Sequence, residues 1–295
     1  MSTDDALIRF KFWSSIYRAS RISKFRHGHI KLAYSKIIEM AARLLGIGIK
    51  RRARLFWGQE MTVVYPEPTS LATSRYGFYE EGLTTMVLQY LKPGMTFLDV
   101  GAHVGYFTLL AGWIVGDSGQ VHSFEPTSST FEVLLSNVGL SNNTYLNQVA
   151  VTSKTGMVTL NDYGPAFSGY NSMYQARMPE ADLIRVKSTK FRASAISIDE
   201  YVAQERLAPN FVKIDAESSD FEVIKGMEET IKRCRPIMSV EVGDMDIEGV
   251  PRSKDLVVYL VGKGYQPFEH TDGSISKHQP RERYGYEDLL FLPTG

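Results

Sequence analysis

TFLDVGAHVGYFT, residues Thr96 to Thr108, and VHSFEP, residues Val121 to Pro126, decide the fold of this chain. A short apolar run ends at Asp99, and a glycine turn and an apolar helical pattern follow it. A second apolar run ends at Glu125. The pattern predicts a strand, a tight turn, a helix and a second strand, with a carboxylate at the tip of each strand. Ligands of open α/β sheets bind at these carboxyl ends.

The turn between Gly101 and Gly105 indicates which ligand this unit binds. It reads Gly-x-x-x-Gly, whereas a dinucleotide pyrophosphate is bound by Gly-x-Gly-x-x-Gly, whose glycines let the backbone close on the phosphates. Asp99 would repel a phosphate and attract a cationic amine, and Glu125 suits a ribose because a carboxylate accepts hydrogen bonds from both hydroxyls. S-adenosylmethionine therefore fits better than NAD. The alternative is an ordinary βαβ unit in which the glycine only makes a tight turn.

Length and composition limit the class of protein. A chain of 295 residues forms one large or two small domains, and an apolar content of 43% is ordinary for a soluble globular protein. The single cysteine, Cys234, excludes a disulfide framework and suits a reducing compartment. The sequence shows no secretory signal pattern and no run of 18 apolar residues. We therefore expect a cytoplasmic protein.

The first 54 residues are strongly basic. They contain 13 Lys or Arg and three acidic residues, a net charge of +10, so the remainder of this neutral chain has a net charge of −10. Apolar residues recur at helical spacing from Ala6 to Tyr17 and from Ile30 to Leu44, which predicts two basic amphipathic helices. We assign residues 1–60 to a basic N-terminal helical extension and residues 61–295 to the domain that contains the predicted S-adenosylmethionine-binding unit.

Three interpretations of this extension are open. The helices could cap the acidic remainder of the chain, in which case Phe10, Trp13, Ile37 and Leu44 should be buried. Residues 1–54 could instead make peripheral contact with an anionic membrane surface, or grip nucleic acid. We favour the first interpretation, place membrane contact second, and regard nucleic acid as the weakest.

The rest of the chain alternates strands and helices, which predicts a mostly parallel sheet with helices on both faces. Further strands are predicted at 145–149, 211–215, 236–242, 265–268 and 288–292, and helices at 83–91, 106–115, 128–137 and 220–233. Residues 151–197 break this rhythm, with strands predicted at 157–161 and 184–191 around a Gly/Ser/Tyr-rich loop. We interpret them as an insertion that covers the substrate, since loops on a rigid scaffold commonly determine specificity.

Six spaced motifs between residues 99 and 242 share one family resemblance. They are DVGAHVGYFTLL at 99–110, FEP at 124–126, LLSN at 134–137, SIDEYV at 197–202, FVKIDAESSDFEVIKGM at 211–227 and PIMSVEV at 236–242. In this order they resemble the FkbM-type family of S-adenosylmethionine-dependent O-methyltransferases. The resemblance implies an α/β class I methyltransferase fold, Rossmann-like, with a seven-stranded, mostly parallel sheet whose last strand is antiparallel. It also implies methylation of hydroxyls on sugars, glycolipids or polyketide-type metabolites of secondary metabolism.

Two positions depart from the family pattern. His103 stands in the turn where the family often has Asn, and Ser218 stands where the family usually has Gly after strand four. Glycine adopts conformations that serine resists, so the departure at Ser218 predicts an altered loop geometry.

Methyl transfer to a hydroxyl requires alignment of its oxygen with the methyl carbon and a group that takes its proton. Lys213 and Asp215 lie two residues apart, hence on one face of strand four, with Glu217 just beyond its end. Glu241 ends the next strand. We predict that these four residues form the catalytic cluster, with Asp215, Glu217 and Glu241 as the ligands if a divalent metal is used. Alternatively, Lys213 is only a snorkelling or ion-paired residue that supports Asp215, and Glu241 only caps a helix or anchors a loop.

The predicted cofactor contacts surround the glycine turn. Asp99 is assigned to the methionine amine, directly or through water, Glu125 to the ribose, and Gln148 and Val149 to the adenine. Glu80 is assigned to the amino-acid end of the cofactor. The complete predicted set is Glu80, Asp99, Gly101, Ala102, His103, Gly105, Glu125, Pro126, Gln148, Val149 and Asp215. His270 and His278 have no partner at metal-binding spacing, so we expect them on the surface.

Three classes of function remain open. The first is an O-methyltransferase that acts on a small molecule, sugar, glycolipid or polyketide-type acceptor. The second is an RNA methyltransferase, which the +10 N-terminal segment favours, although no Asn/Asp-Pro-Pro-aromatic motif follows strand four. The third is a cofactor-binding protein without catalysis, against which the acids Asp215 and Glu217 argue.

Overall fold

The computed structural model describes residues 3–19, 21–176, 178, 186–244, 246–271 and 273–294, and only the backbone of residues 21–30. The chain divides into two units. The first comprises Met1–Glu81 with Tyr163–Gly169, and the second comprises Gly82–Asp162 with Tyr170–Gly295. The division falls after residue 81, whereas the predicted boundary is at residue 60. The first unit also includes seven residues of the predicted insertion.

The second unit contains the predicted alternation. Its helices are α4 (Glu81–Tyr90, which starts at the unit boundary), α5 (Tyr106–Val115), α6 (Ser128–Val138), α7 (Ile198–Gln204), α8 (Asp220–Lys225), α9 (Glu228–Cys234) and α10 (Ser253–Gly262). Its strands are β3 (Thr96–Val100), β4 (Gln120–Phe124), β5 (Thr144–Asn147), β6 (Ala150–Val151), β7 (Gly156–Asp162), β8 (Thr189–Ile196), β9 (Phe211–Ile214), β10 (Ile237–Val242), β11 (Tyr265–Thr271), β12 (Ser274–Lys277) and β13 (Glu287–Pro293).

Eight of these strands form one sheet in the order β12-β11-β13-β10-β9-β3-β4-β5. Strands β10, β9, β3, β4 and β5 are parallel, and β13 is antiparallel to both of its neighbours. The predicted mostly parallel sheet with an antiparallel last strand is therefore confirmed. Strand β12 is an eighth strand, beyond the seven predicted, which forms a hairpin with β11 at the edge.

The predicted insertion contributes a separate three-stranded sheet in the order β6-β8-β7. Strand β7 agrees with the strand predicted at 157–161. The second predicted strand, 184–191, is shifted along the chain, because β8 begins at Thr189 and residues 186–188 are not in a strand. Residues 184 and 185 of that prediction lie outside the described part of the chain.

The single helix predicted at 220–233 is wrong, because the structure has two helices, α8 and α9, with a break at Gly226. Here the backbone lies so close to the connection after β6 that a Cβ at Gly226 would approach the Thr152 carbonyl oxygen to 2.2 Å. Glycine permits this close approach, and the chain turns before it resumes the helix.

The first unit combines helices and a hairpin. It contains α1 (Thr3–Arg18), α2 (Arg21–Leu45), β1 (Ile49–Arg54), β2 (Glu60–Tyr65) and α3 (Pro68–Tyr76), with β1 and β2 antiparallel. The two predicted N-terminal helices are confirmed. Phe10 of α1 packs against Phe56 and Phe78, with ring centroids 5.0 and 5.2 Å apart, so one face of α1 belongs to this unit's core.

Burial corrects several predictions. Phe10 is buried and Trp13 is half-buried, but Ile37 and Leu44 of α2 are 66% and 88% exposed, contrary to the prediction that they are covered. His270 is half-buried, and His278 is not a surface residue either. It is fully buried, its Nε2 lies 3.0 Å from the Tyr284 hydroxyl, and its Nδ1 lies 3.2 Å from a Glu269 carboxylate oxygen. Among the described residues, we find no helix whose length and apolar content suffice to cross a membrane.

Candidate active site

Three carboxylates form a row across the carboxyl ends of the central strands. Antiparallel pairing places Asp288 of β13 opposite Glu241 of β10. Parallel pairing aligns Val240 with Ile214, so the next residues, Glu241 and Asp215, lie at the same level. Residues directly opposite each other on paired strands project from the same face. The sheet therefore brings Asp215, Glu241 and Asp288 together at the edge where ligands of such sheets bind.

Lys213 lies two residues below Asp215 on the same face. Its ammonium is 3.0 Å from an Asp215 carboxylate oxygen and 3.5 Å from Asp99 Oδ1, and it donates to the Gly101 carbonyl at 2.8 Å. The side chain is only 2% exposed. A buried ammonium requires such compensation, since an unpaired buried charge is strongly unfavourable. Lys213 thus links the strand of the glycine turn to the carboxylate row, as the ion-pair alternative predicts.

Glu217 joins the row from the loop after β9. One ligand oxygen from each of Asp215, Glu217 and Glu241 lies within 4.8 Å of the others. The Tyr286 hydroxyl donates to Glu217 Oε2 at 3.1 Å. The structure therefore brings together all four residues predicted as catalytic, because Lys213 contacts Asp215 directly.

Asp288 belongs to the same group and was missed in the sequence. Burial and, second, the Asp215 charge raise the pKa of its carboxyl to about 7, against the opposing effect of the Lys213 ammonium. Burial also raises the pKa of Asp99, against the effect of Lys213 and of the Thr108 hydroxyl, which donates to Asp99 Oδ2 at 2.6 Å. In the sequence, Asp288 could have been recognised as an acidic residue at the start of an apolar strand, within YEDLLFL.

The loop after β9 has an unusual backbone. Glu217 and Ser218 have φ of +47° and +79°, in the left-handed region that favours glycine. The Ser172 hydroxyl donates to the Glu217 carbonyl, which holds this turn. Ser218 stands at the position where the family usually has Gly. It adopts the left-handed conformation that a glycine would adopt without strain, so the backbone of this serine is strained.

We expect Ser218→Gly to raise the free energy of unfolding by about 1 kcal/mol, because the left-handed conformation costs a non-glycine residue about 1–2 kcal/mol, partly offset by glycine's greater freedom when unfolded. Chemical denaturation would measure it. The matched control is Ser219→Gly, at an ordinary φ of −93°, which should lower stability. Equal effects at the two positions would show that Ser218 is not strained.

The glycine turn is fixed from both sides. The amides of Gly101 and Ala102 donate to the Phe124 carbonyl at 3.1 and 3.0 Å. Gly101 has φ of +76°, and a Cβ there would lie 1.8 Å from the Asp215 carbonyl oxygen. No side chain fits at this position, so the turn and the loop after β9 meet backbone to backbone.

Glu125 anchors the same turn from the tip of β4. Its carboxylate accepts hydrogen bonds from the His103 amide at 3.0 Å, the Thr127 amide at 2.8 Å and the Thr130 hydroxyl at 2.8 Å. A carboxylate has about four acceptor positions. Three are used within the protein, and one remains for a ligand hydroxyl.

A small apolar pocket lies beside this turn. Gly101, Pro126 and Val149 line it, together with Phe124 and with Leu160 of the three-stranded sheet. The structure thus brings together three residues predicted to bind the cofactor, contributed by the ends of three neighbouring strands.

The other predicted cofactor residues are more dispersed. Ala102 is buried in the turn, His103 is half-buried with φ of +50°, and Gly105 precedes α5 with φ of +96°. The Gln148 amide donates to the Ser128 hydroxyl at 2.8 Å. Glu80 belongs to the first unit, and its assignment stays a prediction.

Comparison with known proteins identifies relatives of this chain. Residues 99–267, more than half of the chain, match the family described as methyltransferase FkbM domain. The 31-O-demethyl-FK506 methyltransferase FkbM of Streptomyces tacrolimicus is 27% identical over 179 residues, which cover 53% of this chain and 68% of that protein.

Solved structures resemble it more distantly. A methyltransferase FkbM from Methylobacillus flagellatus KT has a TM-score of 0.42 and 15% identity, over 75% of this chain and 52% of that one, so the chain spans about half of that protein's length. Aeropyrum pernix fibrillarin in complex with natively bound S-adenosyl-L-methionine has a TM-score of 0.41 and 13% identity, over 71% of this chain and 73% of that one. Because these TM-scores are low, the fold is assigned from the order and direction of the strands in this chain's own sheet and not from these structures.

Proposed function

Because the chain belongs to the methyltransferase FkbM domain family, we propose that it transfers a methyl group from S-adenosylmethionine to a hydroxyl of a small molecule, sugar, glycolipid or polyketide-type metabolite. The observation on which this depends is the carboxylate row of Asp215, Glu241 and Asp288 at the ligand-binding edge of the sheet. A cytoplasmic location, which suits the single cysteine, is part of the proposal.

The residues at the turn fit S-adenosylmethionine. The apolar pocket at Pro126 and Val149 suits an adenine ring, and Glu125 keeps one acceptor position for a ribose hydroxyl. The turn lacks the additional glycines that a dinucleotide pyrophosphate requires. Asp99 is fully buried and paired with Lys213 and Thr108, so it would act on a bound amine through its neighbours.

The bound sulfonium would supply an activated methyl group, and the protein must then orient and deprotonate the acceptor. An alcohol is a weak nucleophile near neutral pH, so a proton acceptor is needed. Asp215 and Asp288 offer carboxylates at the site, and the raised pKa of Asp288 matches the range in which general bases are most effective. Lys213 holds Asp215 in position through the ion pair at 3.0 Å.

A divalent cation would fit the same cluster. Oxygen ligands from Asp215, Glu217 and Glu241 lie close enough together to bind one ion, and carboxylates are the ligands that Mg²⁺ and Ca²⁺ prefer. There the ion would polarise the acceptor oxygen. Deprotonation of the acceptor by a carboxylate and its activation by a metal ion both use Asp215. Chelation distinguishes the two, because only the metal-dependent reaction should be lost.

The test is an assay with methyl-labelled S-adenosylmethionine and a panel of hydroxylated sugars, glycolipids and polyketides, with and without EDTA. We expect release of S-adenosylhomocysteine and a new methoxyl group, identified by NMR. Unchanged activity after chelation would exclude an essential divalent ion. Label on nitrogen, or transfer to RNA alone, would contradict O-methylation. Cofactor binding without transfer to any acceptor would favour a non-catalytic protein.

A further inference from the structure

Helix α2 exposes a continuous apolar stripe. Tyr34, Ile37, Met40, Leu44 and Leu45 recur at helical spacing, and each is more than half exposed. Ile47, just beyond the helix, is exposed as well. Single exposed apolar residues are ordinary, but a contiguous stripe marks a surface that contacts something else.

The stripe is not needed for the core of its own unit. The opposite face of α2 contains the buried residues Ser35, Ile38, Glu39 and Ala42. Arg75 of α3 donates to the Ser35 hydroxyl at 2.9 Å and to Glu39 at 2.7 Å, which fixes α2 on α3. Over residues 31–45, helix α2 therefore has one face that packs within the unit and one apolar face that remains exposed.

Strand β1 places positive charge directly after this stripe. Lys50, Arg51, Arg52 and Arg54 are all exposed, and of these Arg52 pairs with Glu60 at 3.2 Å. They belong to the N-terminal segment with a net charge of +10. An apolar helix stripe followed in the chain by a cationic strand offers the two kinds of group that bind the interface of an anionic bilayer, where apolar side chains enter the headgroup region and basic residues meet lipid phosphates.

We propose that the stripe on α2 and the basic strand β1 dock this protein on the surface of an anionic lipid bilayer. Two other occupants fit less well. A second copy would bring two basic segments together, each with a net charge of +10 over residues 1–54, and these repel each other. A nucleic acid would be bound by the basic residues and would not require the aliphatic stripe. The proposal goes beyond methyl transfer and does not depend on it.

The test is flotation of the full-length protein with vesicles of phosphatidylcholine alone or with 30% phosphatidylserine. We expect binding only to the anionic vesicles, falling at least tenfold as salt rises from 50 to 500 mM. The pair Ile37→Ser and Leu44→Ser should reduce binding at least tenfold, and so should the pair Lys50→Glu and Arg51→Glu. All four positions are exposed, so unchanged thermal melting is expected and is checked first.

Matched controls come from the second unit. The apolar control is the pair Val258→Ser and Val261→Ser, two exposed residues of α10. The charge control is Lys232→Glu, an exposed residue of α9. Neither control should alter vesicle binding. Failure to bind anionic vesicles, or equal losses in controls and test variants, would overturn the proposal. Concentration-dependent dimers abolished by the Ile37 and Leu44 substitutions would replace it with self-association. Binding of RNA that survives those substitutions, without vesicle binding, would replace it with nucleic acid.

Discussion

Asp215→Asn should lower turnover by about 10²–10⁴-fold, the usual contribution of a general base, with far less effect on the affinity for S-adenosylmethionine. The substitution keeps the shape of the side chain but removes the charge that lies 3.0 Å from the Lys213 ammonium and at one end of the carboxylate row. Steady-state kinetics at saturating cofactor would measure turnover, and calorimetric titration would measure the affinity.

The control for this experiment is Asp117→Asn, an exposed acid in the turn between α5 and β4, which should leave turnover unchanged. Chemical denaturation of each variant separates catalysis from folding. Should Asp215→Asn lose folding free energy in step with activity, the residue would be structural, and Asp288 would remain as the acceptor for the proton.

Asp288 predicts a pH dependence with a definite sign. As a proton acceptor it must be ionised, and its pKa is raised to about 7, first by burial and then by the Asp215 charge. Turnover measured in the presence of EDTA should therefore fall about tenfold per pH unit below pH 7. Asp288→Asn should abolish this decline at acidic pH, along with most of the activity. In Asp215→Asn, the acidic decline of the remaining turnover should shift to lower pH, because the substitution removes one cause of the raised pKa of Asp288.

The free energy of unfolding should change with pH in the direction opposite to turnover. A carboxyl whose pKa is higher in the folded than in the unfolded chain stabilises the fold below about pH 4, and this contribution is lost as the pH rises through about 7. Relative to Asp288→Asn, the wild type should thus become less stable across that range. The comparison variant is Glu287→Gln, next to it on the other face of β13, where Glu287 pairs with Arg281 at 2.8 Å. It removes only the weakest of the causes that raise the pKa of Asp288, so most of the trend should remain. An identical pH dependence of stability for wild type and Asp288→Asn would show that the pKa of Asp288 is not raised in the folded chain. An identical pH dependence of turnover would eliminate Asp288 as the base.

The parts of the site that follow local rules could be predicted from the sequence. Gly101 signals its turn because the position requires both a positive φ and a backbone approach that excludes any side chain. Asp215 and Glu241 could be placed together because parallel strands end at the same edge of a sheet. These inferences need only the order of strands and helices and not their detailed packing.

Long-range pairing and packing could not be predicted. Asp288 enters the site from an antiparallel strand, and its position opposite Glu241 depends on a register that no local pattern specifies. The periodicity of α2 showed that an apolar face exists but not what covers it, and Ile37 and Leu44 proved to be exposed. The break at Gly226 likewise depends on the approach of Thr152, a residue far away in the sequence.

Calorimetric titration with S-adenosylhomocysteine and, separately, with NAD tests the central claim most directly. We expect micromolar affinity for the first, about −8 kcal/mol, and no binding of NAD. Glu125→Ala should weaken binding by about 1.5–3 kcal/mol, the range for loss of a charged hydrogen-bonding partner. Thr130→Val, which removes only one of the internal hydrogen bonds of Glu125, should have a much smaller effect. Binding of NAD with no response to S-adenosylhomocysteine would contradict the assignment of this site.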